Sequence, residues 1–388
     1  MRPVTVWWGI PCKSMIPVFR ALAEEHGRDV LFIALEDLPE RRKKLGWTIP
    51  AHGTMPLEVL GDAWREGVDR RLADRSGLHI VNGIYHNPRV RYVAAKLAEE
   101  RRSFGVIMEA PANLEVGLRR TVKSVLAPIV TPLRTRSVAR RAEFVMSASG
   151  DRAPAFRALG FPTARIFPYG YFPDFPLLER ATPRPHDGLK ILCVGYLEPF
   201  KGQDCLLRAL ALLRRRGTPF KCTITGFGSA RDELVALSSE LGLADSVTFP
   251  GVVSNEALVE LFCDSNLLVA PGREEPWGIR INEALLSGLP VVVSDGIGAK
   301  ELIETSGAGC VFRAGSPQSL ADNLQRALRR LQAGAELMET VRRFRPAITP
   351  SAAAGFLSDV IRLAEHAGFP ARSRLTPPWL QPSSAPAV

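Results

Sequence analysis

Between residues 190 and 312 short apolar runs alternate with helical patterns almost without a break, and few folds accommodate that alternation. KILCVG (190 to 195), KCTITG (221 to 226), SVTFPG (246 to 251), NLLVAPG (266 to 272), PVVVSD (290 to 295) and GCVF (309 to 312) read as strands. QDCLLRALALLRRRG, ARDELVALSSELG, NEALVELFCDS, GIRINEALLSG and AKELIET fall between them as helices, and SLADNLQRALRRLQAG closes the block. Continuous apolar runs bounded by turn residues are what parallel strands look like when both faces are covered, with crossover helices between them. The pattern predicts an α/β protein with a doubly wound parallel sheet, in which ligands sit outside the carboxyl ends of the strands.

The first half repeats the pattern less regularly. VTVWWG (4 to 9), VLFIAL (30 to 35), LHIVNG (78 to 83), FGVIMEA (104 to 110) and EFVMSASG (143 to 150) are strand candidates, and residues 36 to 77 are hard to read. A chain of 388 residues exceeds one ordinary core, so two domains are expected and a small binding module is excluded. The predicted boundaries are a first domain over 1–172, a linker over 173–188 around the Pro-rich LLERATPRPHDG, and a second domain over 189–345. A C-terminal helix within 346–369 is expected to pack back toward the first domain, and the Pro- and Ser-rich tail 370–388 to be disordered.

The net charge of +10 is unevenly placed: residues 1 to 172 hold 27 Lys and Arg against 17 Asp and Glu, and the rest of the chain is balanced. Apolar Leu118, Val122, Val125, Leu126 and Ile129 recur at helical spacing among Arg119, Arg120 and Lys123. A basic amphipathic face of this kind suits anionic lipid headgroups at roughly 1 kcal/mol per nearby cation, which makes an anionic membrane surface a candidate partner. It is equally what a solvated face of an Arg-rich protein looks like. No recognition helix or stacking-aromatic motif accompanies the charge, so a nucleic-acid partner is not expected. No apolar run is long enough to span a bilayer, and the opening MRPVTVWWGIPCKSM lacks the pattern of a signal peptide. The expected location is therefore the cytoplasm, at most peripherally at the inner face of the membrane. The six cysteines are far apart, with no C-x-x-C pair, and read as reduced core residues rather than disulfides or a zinc site.

The chemistry concentrates in EEPWGIRINEAL (274 to 285). Glu275 falls in the loop after a strand and Glu283 in the first turns of the next helix, both at the carboxyl-end rim. An ionised carboxylate only accepts hydrogen bonds and can take two from vicinal hydroxyls, so two of them suit a ligand with two diols. Gly278 and the following amides, at Ile279 and Arg280, open a helix and offer an anion site between the acids. Lys201, in VGYLEPFKG, sits where its charge can reach a diphosphate. TGFG places Phe227 and Gly228 at another strand end, and SDGIGAKELI places Gly298 at the start of a short helix.

Together and in this order, VGYLEPFKG, TGFG and PGREEPWGIRINEALLSGLPVVVSDGIGAKELI, within residues 190 to 330, resemble the nucleotide-sugar half of the retaining GT-B glycosyltransferases of family four, the glycosyl transferases group 1. The resemblance implies two Rossmann-like doubly wound domains facing a cleft, and transfer of a sugar from a nucleoside diphosphate sugar to an acceptor hydroxyl with retention, in bacterial-type polysaccharide or glycolipid assembly. It implies a glycan or lipid-linked acceptor. It assigns ribose hydroxyls to Glu283, the donor sugar to Glu275, phosphate to the amides after Gly278 and the leaving diphosphate to Lys201, with Trp277 and Gly9 facing the donor. No cofactor or metal is implied, and no Asp-x-Asp motif is present. The same fold also holds nucleotide-sugar epimerases, whose reading stays open at this point.

Two features depart from the family's pattern. Tyr196 stands where many members carry an Arg that clamps the diphosphate; the lost contact is worth roughly 1.5 to 3 kcal/mol, and Arg273 or Arg280 is the expected replacement. Where many members carry a His near the reacting carbon, VIMEAPANLE offers Glu109, with His86 of NGIYHNPR as the alternative.

Overall fold

The structure is a computed structural model that describes residues 1–43, 47–74, 76–111, 131, 134–150, 152–178, 188–366 and 375–381. The chain forms two units, one of Met1–Asp174 with Thr349–Pro378, the other of Phe175–Ile348 joined by Trp379.

The first unit is built on seven strands: β1 (Val4–Trp8), β2 (Val30–Ala34), β3 (Leu57–Val59), β4 (Leu78–Val81), β5 (Phe104–Met108), β6 (Val145–Ser147) and β7 (Ile166–Pro168). Their order is β3-β2-β1-β4-β5-β6-β7 and every pairing is parallel. β4 and β5 are buried along their whole length, which is why they read as unbroken apolar runs. The helix Pro350–His366 belongs to this unit. The Tyr169 hydroxyl donates to the Ala353 carbonyl at 3.2 Å, and the Arg28 guanidinium grips both oxygens of Glu365 at 2.8 and 3.2 Å. Burial pushes the Glu365 carboxyl up, but the hydrogen bonds and charge of Arg28 outweigh it and hold it low.

The second unit has β8 (Leu189–Val194), β9 (Phe220–Thr225), β10 (Val247–Gly251), β11 (Leu267–Ala270), β12 (Val291–Ser294) and β13 (Gly309–Phe312). Its order is β10-β9-β8-β11-β12-β13, again all parallel. In both sheets the order reverses beside the first strand, between β1 and β4 and between β8 and β11. Such a reversal opens a crevice at the carboxyl ends. The core of the second sheet is closed by the apolar stripes of two helices, Leu206, Leu210 and Leu213 from Gln203–Arg215 and Leu320, Leu324 and Leu328 from Pro317–Gln332. Each such buried leucine contributes about 1.5–3 kcal/mol.

Residues 36 to 77 contain β3 and the helix Trp64–Leu72; β3 has two half-exposed residues and one exposed, and leaves no apolar run to read. A further helix, Glu336–Phe344, follows the block that the sequence pattern predicts. The expectation of a disordered tail over 370–388 is corrected at Pro378–Leu380, a single helical turn that buries the Trp379 ring. One buried tryptophan outweighs the ordering of a short Pro-rich turn, and average composition conceals it. The basic amphipathic stretch at 118 to 129 and the centre of the expected linker, 179–187, lie outside the described residues. Among the described residues no helix is long and apolar enough to cross a membrane. Cys193, Cys205, Cys222 and Cys310 are core residues, whereas Cys263 is exposed and Cys12 half-buried.

Candidate functional site

Four loops at the carboxyl ends of β8, β9, β11 and β12 build the site of the second unit. The loop after β8 ends in the turn Pro199–Lys201 and then Gly202, whose φ of +72° is left-handed. A Cβ on Gly202 would stand 2.1 Å from the Pro271 carbonyl oxygen, so only glycine lets this loop touch the loop after β11. The contact continues through the Arg273 amide, which donates to the Phe200 carbonyl at 2.8 Å. Side by side on the two loops, the Lys201 Nζ and a Glu275 carboxylate oxygen are 2.7 Å apart, with side chains 16% and 23% exposed. β8 and β11 are the strands between which the sheet order reverses, so this pair stands at the crevice.

Arg273 is already committed. Its guanidinium takes both oxygens of Asp204 at 2.8 and 2.6 Å and donates to the Pro199 carbonyl at 2.6 Å. Burial raises the Asp204 carboxyl, while the hydrogen bonds and charge of Arg273 bring it below its ordinary value. Arg273, expected to bind the donor, is held by Asp204 and staples its loop to the start of the helix Gln203–Arg215.

The loop after β11 is also zipped to the loop after β12. The Glu275 amide donates to the Gly296 carbonyl at 3.1 Å, the Gly298 amide to the Glu275 carbonyl at 3.1 Å, and the Ala299 amide to the Trp277 carbonyl at 2.8 Å. Gly298, expected to offer its amide to phosphate, has spent it on Glu275. Trp277, expected to face the donor, is 2% exposed, and its indole N–H donates to Asn282 Oδ1 at 2.9 Å. A large ring under a helix start is packing, and its N–H needs the buried amide as acceptor.

Gly278 caps the helix Ile279–Leu286 at φ +99°, with Ile297 only 2.6 Å from where its Cβ would stand. The first-turn amides, at Ile279 and Arg280, have no acceptor within their own helix and carry the positive end of its dipole. The Glu275 carboxyl carbon lies 3.9 Å from the same hypothetical Cβ, so the Lys201 pair adjoins this helix start. Glu283 is 1% exposed and ion-paired to Arg280, itself 29% exposed. Gly228 follows β9, with the Leu197 carbonyl oxygen 2.2 Å from where a Cβ would be, and the Phe227 ring stands edge-on to Tyr196 at 5.1 Å. Close packing of the two loops accounts for that glycine. The structure thus gathers Lys201, Glu275, Gly278, Ile279, Arg280 and Glu283 in one place.

Residues 174–343, which hold all of these, match the family model described as glycosyl transferases group 1. This stretch is a glycosyl transferases group 1 domain. Among curated proteins the chain is similar to an alpha-D-kanosaminyltransferase of Streptomyces kanamyceticus, 30% identical over 53% of this chain and 55% of that protein. It is also similar to a D-inositol 3-phosphate glycosyltransferase of Streptomyces griseus, 33% identical over 40% of this chain and 34% of that protein. The chain thus spans about half the length of the first relative and about a third of the second. The fold matches over nearly the whole chain. HepE of Anabaena, solved with UDP, superposes with a TM-score of 0.70 at 19% identity over 93% of this chain and 99% of that one. The lipopolysaccharide outer core galactosyltransferase WaaB gives 0.66 at 14% identity over 92% and 99%. The two doubly wound parallel sheets are those of the GT-B fold.

The unit that accompanies the group 1 domain has its own residues at the carboxyl ends of β1, β4 and β5. Gly9 follows β1, its carbonyl accepting from the Glu36 amide at 2.9 Å and its Cα facing the Asn87 side chain, 2.8 Å from a hypothetical Cβ. Glu109 follows β5; its carbonyl accepts from the Tyr85 hydroxyl at 2.9 Å and its carboxylate from the Tyr171 hydroxyl. Burial, with the Glu109 charge second, pushes both tyrosine hydroxyls up, so they stay protonated donors. The His86 ring packs on Tyr85 at 4.1 Å, which puts both candidates for the reacting-carbon position around one tyrosine. Tyr171 and Asp204 were not singled out by any motif, and Asn282 and Tyr85, though inside EEPWGIRINEAL and NGIYHNPR, carried no role there.

Proposed function

We propose that the chain is a retaining glycosyltransferase of family four, moving a sugar from a nucleoside diphosphate sugar to an acceptor hydroxyl. The observation that carries this is the Lys201–Glu275 pair beside the start of the helix Ile279–Leu286, at the strand reversal of a group 1 domain. A cation and helix amides suit the leaving diphosphate, and a carboxylate beside them suits the hydroxyls of the sugar it leaves. Lys201 and the amides of Ile279 and Arg280 take up the charge that develops on the diphosphate, and the acceptor attacks from the same face. Glu275 positions the sugar or stabilises its cationic carbon. Glu283 takes the ribose, a role that rests on the resemblance. Gly9 would face the donor phosphate, and Glu109 would act at the reacting carbon.

HepE, solved with UDP and with UDP-glucose, supports the donor class, and the Streptomyces relatives, a kanosaminyltransferase and an inositol 3-phosphate glycosyltransferase, support sugar transfer. The acceptor is proposed to be a glycan or lipid-linked saccharide, and no divalent cation is needed for transfer. Attachment to anionic membranes is proposed from the basic segment at 118 to 129. The deciding experiment is a thermal-shift screen of nucleoside diphosphate sugars, UDP-sugars first. A donor at about 100 times its dissociation constant stabilises the protein by roughly 2.7 kcal/mol. No shift with any of them sinks the reading. Product anomers read by NMR, with and without EDTA, then test retention and metal independence; conversion of the free donor to an epimer without acceptor would identify an epimerase instead.

A further inference from the structure

The Lys201–Glu275 contact has a second meaning, which rests on the proposed function. The carboxylate of Glu275 sits on the Lys201 ammonium at 2.7 Å, so a phosphate oxygen that takes the ammonium has to displace it. Both side chains are mostly withdrawn from water, at 16% and 23% exposure. The main chain of Glu275 is held on both sides, its amide by Gly296 and its carbonyl by Gly298, so the side chain hangs from a fixed loop beside Lys201. A second carboxylate oxygen already lies over Gly272, 3.5 Å from where a Cβ would stand. A diphosphate that takes Lys201 therefore strips Glu275 of its counter-charge and leaves two anions close together in a half-buried crevice.

We infer that Glu275 is a specificity-determining residue that sets the site against the sugarless nucleoside diphosphate and in favour of the nucleoside diphosphate sugar. The sugar's hydroxyls donate to the displaced carboxylate and replace what Lys201 gave up; the bare diphosphate offers it no donor. The pair thus works against the product of the reaction and leaves the donor substrate little affected, so that the spent nucleotide departs.

The substitution Glu275→Gln removes the charge and keeps the shape, and it leaves the main-chain bonds to Gly296 and Gly298 in place. Isothermal titration of the full chain with UDP, GDP, UDP-glucose and GDP-mannose reads the effect. The variant is expected to bind its nucleoside diphosphate about tenfold more tightly, equivalent to about 1.4 kcal/mol, while the matching sugar nucleotide binds equally or more weakly. Unchanged or weaker binding of the diphosphate overturns the inference, as does equal tightening of diphosphate and sugar nucleotide, which would reduce Glu275 to a general repulsion. If the wild-type chain binds none of the four ligands, the functional reading itself falls. That outcome is separate from a wild type that binds and a variant that fails to discriminate differently.

Discussion

Glu283 is the residue whose two readings differ most, and Glu283→Gln separates them. Its carboxylate is 1% exposed and paired with Arg280, three residues earlier on the same helix. As a structural anchor it holds the first turn of Ile279–Leu286 in shape; as a ligand group it meets a ribose. The glutamine keeps the volume and removes the charge, so the perturbation includes the charge-assisted hydrogen bond to Arg280, about 1.5–3 kcal/mol. Arg280 is 29% exposed and can turn to water, which places the expected loss near 2 kcal/mol. For a unit of this size that lowers its melting temperature by roughly 4–8 °C. The assay is thermal and urea unfolding of the full chain carrying Glu283→Gln, Arg280→Met or both; paired residues should show a coupling of about 0.5–3 kcal/mol. The ligand role is read separately, from the ratio of affinities for UDP and 2′,3′-dideoxy-UDP. Wild type should prefer UDP and the variant should not. Additive unfolding energies would refute the anchor, and a wild type indifferent to the ribose hydroxyls would refute the ribose assignment whatever the stability shows.

Two further outcomes follow from local geometry. Gly202→Ala puts a methyl group 2.1 Å from the Pro271 carbonyl oxygen at a left-handed φ, so it should cost more than about 2 kcal/mol and reduce nucleotide affinity by moving Lys201; an unchanged melting curve would refute the close approach. His79 is buried, its Nδ1 accepting from the Trp7 indole at 3.2 Å, and burial, helped by the charge of Arg102, holds its pKa down to about 4 from 6.5. The unfolded chain then binds the proton first, so this residue leaves stability unchanged above about pH 6.5 and removes up to about 3 kcal/mol as pH falls toward 4. His79→Gln retains an acceptor for Trp7 and should flatten that part of the pH profile, measured by urea unfolding; the same slope in the variant would refute it.

What could be read from the sequence was what depends on neighbours in the chain. β12 is four buried residues, VVVS, inside the predicted PVVVSD, because a strand covered on both faces has no polar side to interrupt it. β3, LEV, is an edge strand whose residues are half-exposed or exposed, and it has no such signature. The helix Glu336–Phe344 carries Leu337, Val341 and Phe344 on one buried face, only three positions set among charged residues. In the site, Lys201 and Glu275 were legible as charges at loop positions. That Arg273 answers to Asp204, 69 positions away, was not, because the partner is chosen by the approach of two loops. Trp277 differs: an aromatic ring in a motif faces a ligand or the core, and its 2% exposure with the bond to nearby Asn282 puts it in the core.

This divides the signature into two parts with different physical causes. Gly202, Gly228 and Gly278 are each explained by a neighbouring loop: Pro271, Leu197 and Ile297 stand where a side chain would be. Arg273, Trp277 and Gly298 spend their polar groups on holding those loops together. None of these six needs a ligand to account for it. Lys201, Glu275 and the first-turn amides after Gly278 are different, since the loops would meet without the ion pair and a helix start leaves its amides open in any case. The two parts should therefore fail differently. Changes in the first group lower the melting temperature and lose binding as a consequence, whereas replacing Lys201 and Glu275 together by neutral residues alters affinity while the unit melts nearly as before. A half-buried ion pair such as theirs contributes little to stability on balance, because desolvation offsets the attraction, which leaves ligand chemistry as the reason for placing it there.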